Sequence, residues 1–263
     1  MPADGEAIQA RQELGGEFVL SLERGLRVVE ALGAAGREVT LTEVAAEAGM
    51  PRAAARRFLL TLVVLGYVEQ RRRSFRLTPK VLSLASAYRR STPLWDHAEG
   101  FMRQVSDAVN ESCSAAVLDG SEVVYVARVP ACRIMAVTLT IGARLPAVCT
   151  SMGRVLLAAL PPGELDRLLD EVPLERRTPH TLVDRDDLLA VLRTVSAQGF
   201  ALVDQELEIG LCSVAVPIRD REGQVVAALN VSSQAARLPA EALRATVLPR
   251  LQEAARGIAA FFG

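Results

Sequence analysis

From Ser21 onward, apolar side chains recur at Leu22, Leu26, Val29 and Leu32, at spacings of four and three. That is one face of an α-helix, and Gly33 and Gly36 are the residues expected to stop it. Thr40 and Glu43 stand three apart ahead of Val44, Ala45 and Ala48, the spacing of a reciprocal capping box. The short helix they start is expected to end at Gly49, a residue type that tolerates the left-handed conformation. Pro51 suits the first turn of a third helix, where its missing N–H would have been unpaired anyway. Phe58, Leu59, Leu62, Val63 and Leu65 carry that helix to Gly66. Two strand-like pieces follow, residues 67–70 and 75–78, around Arg71-Arg72-Arg73-Ser74. Helix, short helix, glycine turn, helix and basic hairpin form the plan of a winged helix-turn-helix.

Beyond it the pattern changes. Thr78-Pro79 opens a helix running to about residue 90, Pro93 breaks it, and another helix reaches about residue 110. Residues 114–118 and 122–129 alternate like strands around Asp119-Gly120, a strong hairpin signal. Residues 133–140 read as a third strand. Helices are expected over 155–160, 163–171 and 184–198, and strands over 200–204, 212–218 and 224–231. Pro249 should kink or divide a last helix over 239–262. Antiparallel strands with helices gathered on one side predict an α+β fold.

Half of the 263 residues are hydrophobic, enough for a sizeable core, and the length suits two domains. Residues 1–16 lack a signal-peptide pattern and no apolar run is long enough to cross a bilayer, so a cytoplasmic protein with no membrane partner is expected. The formal net charge of −1 seems to exclude nucleic acid until it is divided. Residues 1–20 carry −3, residues 21–80 carry eleven basic against six acidic side chains for +5, and residues 81–263 carry −3. The basic block coincides with the helix-turn-helix pattern, and this asymmetry points to a polyanion partner for that segment alone. On the third helix Arg52 and Arg56 are four apart and share a face. Arg57 stands beside them, and Ala54 is small enough for close helix approach. Arg71, Arg72, Arg73 and Arg76 of the hairpin are placed to reach phosphates or a minor groove.

Enzyme templates fail. The chain has no dinucleotide-binding glycine pattern, no P-loop, and no nucleophile elbow around Ser151. The four cysteines are scattered and His97 and His180 stand alone, so no metal, disulfide framework or cofactor is expected and no catalytic residue is assigned. Cys149 and Cys212 read as small buried hydrophobes. Asp204, Glu206 and Glu208, spaced by two, suit either acid/base work or a solvated strand end. Thr150, Ser151, Met152 and Gly153 precede a helix, whose N-terminus favours an anion. Ser213, Asn230 and Ser232 are polar positions in apolar strands, Asn230 and Ser232 on one face, and together they suggest a ligand pocket or hydrogen-bonded core positions.

The chain resembles the IclR family of bacterial transcriptional regulators over nearly all of its length after residue 17. The resemblance is carried by Ser21-Leu22-Glu23-Arg24-Gly25-Leu26, Leu41-Thr42-Glu43-Val44-Ala45, Ser151-Met152-Gly153-Arg154-Val155-Leu156 and Gly210-Leu211-Cys212-Ser213-Val214-Ala215. Val124-Tyr125-Val126-Ala127-Arg128-Val129-Pro130 and Leu202-Val203-Asp204-Gln205-Glu206 are most similar to its PcaR/PcaU/PobR branch. The resemblance implies an arm over residues 1–17, a winged helix-turn-helix over 18–78, a linker helix over 79–92 and a GAF-like effector-binding domain over 93–263. It further implies a double-stranded DNA operator, homodimers that pair into tetramers, and a small carboxylic-acid effector, an aromatic acid or a ring-cleavage product. Effector contacts are implied at Thr150, Ser151, Met152, Gly153, Asp204, Glu206, Ser213, Asn230 and Ser232. Arg133 is a candidate carboxylate partner or a solvated residue near the sheet edge, and Met135 and Ala147 either touch the ligand body or pack in the core. An enzyme acting on a small aromatic acid, with an appended helix-turn-helix, is the alternative.

Overall fold

The computed structural model describes residues 14–131 and 139–262, which form two compact units divided between Thr92 and Pro93. The expected arm over 1–17 therefore lies mostly outside the described residues. Among those described, no helix is long and apolar enough to cross a membrane.

The first unit runs α1 (Leu20–Ala35), β1 (Val39–Thr40), α2 (Leu41–Glu47), α3 (Arg52–Val64), β2 (Val68–Arg71), β3 (Ser74–Leu77) and, after a 3-10 turn at Pro79–Val81, α4 (Leu82–Ser91). Its antiparallel sheet has the order β1-β3-β2; the two-residue strand β1 had no sequence signal. The capping box is present. Thr40 Oγ1 accepts from the Glu43 N–H, and Glu43 Oε2 accepts from the Thr40 N–H at 2.7 Å. Gly49 and Gly66 close α2 and α3 at φ 60° and 79°. Two expectations about α1 are corrected. Gly33 lies inside the helix, and the left-handed stop is Gly36. The buried stripe is Val28, Ala31 and Leu32, whereas Leu22 and Leu26 are 63% and 51% exposed. The unit's core, closed by Val39, Val44, Leu59, Val68 and Phe75, is too small to cover more than the C-terminal half of α1.

The second unit opens with α5 (Leu94–Val109) and closes with α9 (Ala240–Ala242), a π-helical turn (Leu243–Val247) and α10 (Leu248–Ala259). The π turn sits where Pro249 lacks the N–H of a regular α-turn. Between them lie β4 (Cys113–Asp119), β5 (Glu122–Val129), β6 (Arg144–Pro146), α6 (Ser151–Leu157), α7 (Pro162–Glu171), α8 (Arg185–Gln198), β7 (Ala201–Asp204), β8 (Leu211–Arg219) and β9 (Val225–Gln234). The antiparallel sheet is ordered β6-β5-β4-β9-β8-β7. The third strand expected over 133–140 falls largely outside the described residues; β6 comes later.

Helices cover both faces of this sheet, not one. Met102, Leu251 and Ile258 pack with Val214, Val216, Leu229 and Val231 on one side. Met152, Leu156, Leu188 and Leu192 pack with Tyr125, Ala215 and Ala228 on the other. The reason is legible in the strands: Cys212 to Val216 and Ala227 to Val231 are buried at every position, as strands covered on both faces must be. α6 begins four residues earlier than expected because Thr150 caps it, accepting from the Gly153 N–H at 3.2 Å.

Two outcomes are expected. A Cβ at Gly153 would overlap the Ala147 backbone, whereas Gly100 faces open space. Gly153→Ala should lower unfolding free energy by about 3 kcal/mol, and Gly100→Ala should leave it equal or raise it by roughly 1 kcal/mol, read by urea unfolding. The Thr40 backbone N–H, the Thr40 hydroxyl and Arg37 hold the Glu43 carboxyl at about 2 instead of 4.5. Because the folded value is depressed, the cap contributes fully above pH 4.5 and fades as pH falls toward 2. Amide NMR of residues 41–47 during acid titration should show that loss, and Glu43→Gln should flatten it.

Candidate functional site

The first unit presents cations on two elements. Arg52, Arg56 and Arg57 of α3 are exposed and their guanidiniums make no hydrogen bond or ion pair with another described residue, while Ala54 is half-buried. At the hairpin tip Arg72 and Arg73 are also exposed, and Arg72 takes φ 52°, the left-handed geometry favoured in two-residue hairpin turns. Arg71 and Arg76 behave otherwise. Register sets Glu69 opposite Arg76, and Glu69 accepts from Arg71 Nε at 2.8 Å and from Arg76 Nη2 at 2.7 Å. The two guanidiniums, Arg71 foremost, hold the Glu69 carboxyl below the usual carboxylate range. Glu38 also lies within 3.9 Å of both guanidiniums, so half of the wing's expected phosphate anchors are already paired with carboxylates.

In the second unit a buried ion pair organises one wall. Arg154 donates Nη1 and Nη2 to Glu206 Oε1 and Oε2, both at 2.6 Å, and Nε to the Val148 carbonyl at 3.1 Å. Glu206 also accepts from the Leu182 N–H at 3.1 Å, and Thr181 donates to the Glu206 carbonyl at 2.7 Å. Both charges are nearly fully buried, and their shared, hydrogen-bonded geometry is what makes such burial tolerable. The pair ties α6 to the chain leaving β7.

Beside it lies a cavity of about 180 Å³. Its floor is a polar patch on an otherwise apolar sheet face. Register aligns Arg128 with Ser114, Ser114 with Asn230, and Ser213 with Ser232. Arg128 donates to Ser114 Oγ at 3.4 Å and to Ser112 Oγ at 3.2 Å, and Asn230 donates to Ser232 Oγ at 3.1 Å. Thr150 and Ser151 form the opposite side, and the buried Ser151 Oγ has no hydrogen-bond partner among the described residues. Leu139, Leu145, Val203 and Leu207 supply apolar wall. At the rim Arg237 forks onto Glu111 with two bonds of 2.8 Å. Burial pulls the Arg128 guanidinium below its ordinary pKa and pushes the Tyr125 phenol up to about 12, so Tyr125 stays a neutral hydroxyl.

Of the residues expected at an effector site, Thr150, Ser151, Ser213, Asn230 and Ser232 line this cavity. Ala147 and Met152 do not; they pack in the hydrophobic cluster behind it. Gly153 serves close backbone packing against Ala147. Glu206 is committed to Arg154, and Asp204 accepts from Cys212 Sγ at 2.8 Å. Burial and that carboxylate push the Cys212 thiol up to about 12. Arg133 and Met135 lie outside the described residues. Sequence reasoning missed Tyr125 and Arg128. Strict alternation puts positions three apart on opposite faces. The β4–β5 register shifts between Ala115 and Ala116, leaving Val126 as an extra residue, and this bulge brings Tyr125 and Arg128 to one face. The available signal was a charged residue inside the apolar run 123–129.

Comparison with known proteins agrees with both halves. Residues 21–72 match the IclR helix-turn-helix domain, and residues 86–260 match the bacterial transcriptional regulator IclR C-terminal domain. The Pca regulon regulatory protein of Pseudomonas putida is 44% identical over 92% of this chain and 84% of its own length. The p-hydroxybenzoate hydroxylase transcriptional activator of Acinetobacter baylyi is 36% identical over 91% of this chain and 90% of its own. Among solved structures, an IclR homolog from Microbacterium hydrocarbonoxydans complexed with 4-hydroxybenzoate is 28% identical, with a TM-score of 0.80 over 92% of this chain and 98% of that one. These relatives are regulators, and none supports the enzyme alternative.

Arg154→Ala should cost about 3–5 kcal/mol by stranding a buried carboxylate, whereas Arg154→Met with Glu206→Leu should recover most of it; urea unfolding reads both. On duplex DNA, Arg72→Ala should reduce the slope of log affinity against log salt by about 1, and Arg76→Ala should change it far less.

Proposed function

The chain belongs to the IclR family of bacterial transcriptional regulators, and on that premise we propose that it senses a small aromatic acid through the cavity beside Arg154–Glu206. The observation that carries this reading is the polar patch around Arg128, set among apolar walls in a space of about 180 Å³. A cavity of roughly 150 Å³ accommodates benzene, so this volume suits one substituted ring. Arg128 is a cation already stripped of part of its water, and a carboxylate would restore what burial removed. Ser151 Oγ and the Tyr125 hydroxyl offer hydrogen bonds to ring substituents, and Leu139 and Leu145 offer contacts to the ring. The 4-hydroxybenzoate complex of the Microbacterium relative and the names of the Pca and p-hydroxybenzoate regulators agree with this class.

Signalling then follows from linkage. An acid that favours one arrangement of the chain shifts the affinity for a DNA operator, and the operator shifts affinity for the acid by the same factor. The DNA-contacting groups are Arg52, Arg56 and Arg57 of α3 and Arg72 and Arg73 of the wing. The acting form is a homodimer. Leu22 and Leu26 of α1 and Leu82, Leu84 and Tyr88 of α4 are exposed, and apolar surface of this extent suits contact between copies.

Thermal shift in the presence of 4-hydroxybenzoate or protocatechuate tests the effector class. An acid at 100 times its Kd should stabilise the chain by ~2.7 kcal/mol, and its methyl ester should not. Arg128→Gln should weaken binding of the acid by about 30-fold or more, ~2 kcal/mol. No stabilisation by any aromatic acid would remove the basis for this effector class.

A further inference from the structure

The outward surface of α3 has a narrower chemistry than general attraction to polyanions. Its 13 residues include no Asn, Gln, Asp or Glu. The hydrogen-bonding side chains are Arg52, Arg56, Arg57 and Thr61, and Thr61 turns back onto its own helix, donating to the Arg57 carbonyl at 2.9 Å. What α3 can offer a base edge is therefore guanidinium donors. In the wing, Arg71 and Arg76 are drawn to Glu69, which leaves Arg72 and Arg73 as its unpaired cations among the described residues.

Helical geometry sorts the three arginines. Arg52 and Arg56 lie about 40° apart around the axis and ~6 Å apart along it. Arg57 is turned roughly 100° further round. With base pairs stacked about 3.4 Å apart, Arg52 and Arg56 span no more than two steps. In the major groove, guanine presents two adjacent acceptors, N7 and O6, to a donor fork. Adenine pairs one acceptor with a donor, cytosine offers a donor, and thymine offers one acceptor.

We propose that Arg52 and Arg56 each read one guanine, the two guanines lying within two base-pair steps of each other, while Arg57, Arg72 and Arg73 contact phosphates. This assignment rests on the DNA-binding regulator reading and names the bases that reading leaves open.

The test uses the intact chain. Duplexes are selected from a random-sequence library, and each guanine of the enriched motif is then replaced singly by 7-deazaguanine, which lacks the N7 acceptor. The motif should contain the paired guanines, and either replacement should weaken binding by roughly 5-fold or more. Arg52→Ala should become insensitive to one replacement and Arg56→Ala to the other, with Arg57→Ala retaining both sensitivities. Because the nucleotide replacement is read with the unaltered protein, the outcome does not depend on any variant folding. An enriched motif without paired guanines, or equal losses for all three variants, overturns the guanine assignment and leaves the regulator reading standing. Failure to enrich any sequence overturns both.

Discussion

The second unit is organised around one buried ion pair. Arg154 and Glu206 come from segments 52 residues apart, and neither charge is tolerable in that position without the other. Their fork, the Val148 carbonyl and the Leu182 N–H leave a single arrangement in which α6 and the exit from β7 meet. Thr150 and Ser151 lie at the start of α6, and Leu207, Glu208 and Leu211 follow Glu206, so the cavity wall is built from both sides of this joint. Such a pair contributes little net stability compared with a hydrophobic replacement. Its consequence is geometric: it specifies where the wall stands.

The floor obeys a different constraint. A sheet covered by helices on both faces has no reason to carry polar groups, yet Arg128, Ser114, Asn230, Ser213 and Ser232 form a continuous patch there. Isolated, each would be a costly burial. Assembled around a cavity, they are partly satisfied by one another and free to exchange partners with a bound anion. The other unit treats charge in the opposite way. Glu69 and Glu38 pair with two wing arginines while α3 keeps three exposed, so fewer cations are left for a polyanion than the composition implies.

The first unit was largely legible in the sequence because its stops and starts are local. The Thr40–Glu43 box, the positive-φ glycines at 49 and 66 and the arginine hairpin all act through neighbours a few residues away. The strands over 114–129 and 200–231 were legible for the same reason; β6 was not, and the strand expected over 133–140 lies largely outside the described residues. What escaped was set by distant partners. The exposure of Leu22 and Leu26 depends on how far a small core extends, and helices on both faces follow from which segments return to cover the sheet. The bulge at Val126 inverted the phase that separates Tyr125 from Arg128. Glu206 and Asp204 read as site carboxylates because their spacing is local, while their engagement with Arg154 and Cys212 is not.

The central claim is that occupancy of the cavity and affinity for DNA are linked. It is tested most directly by measuring the Kd of the intact chain for a selected duplex with and without saturating 4-hydroxybenzoate or protocatechuate, alongside Arg128→Gln. The expected result is a shift of roughly 5- to 150-fold for the unaltered chain, and in Arg128→Gln an unchanged acid-free Kd with the shift appearing only at acid concentrations about 30-fold higher or more. An unchanged Kd for the unaltered chain despite demonstrated binding of the acid, or a shift in Arg128→Gln at the same acid concentrations as in the unaltered chain, would contradict it.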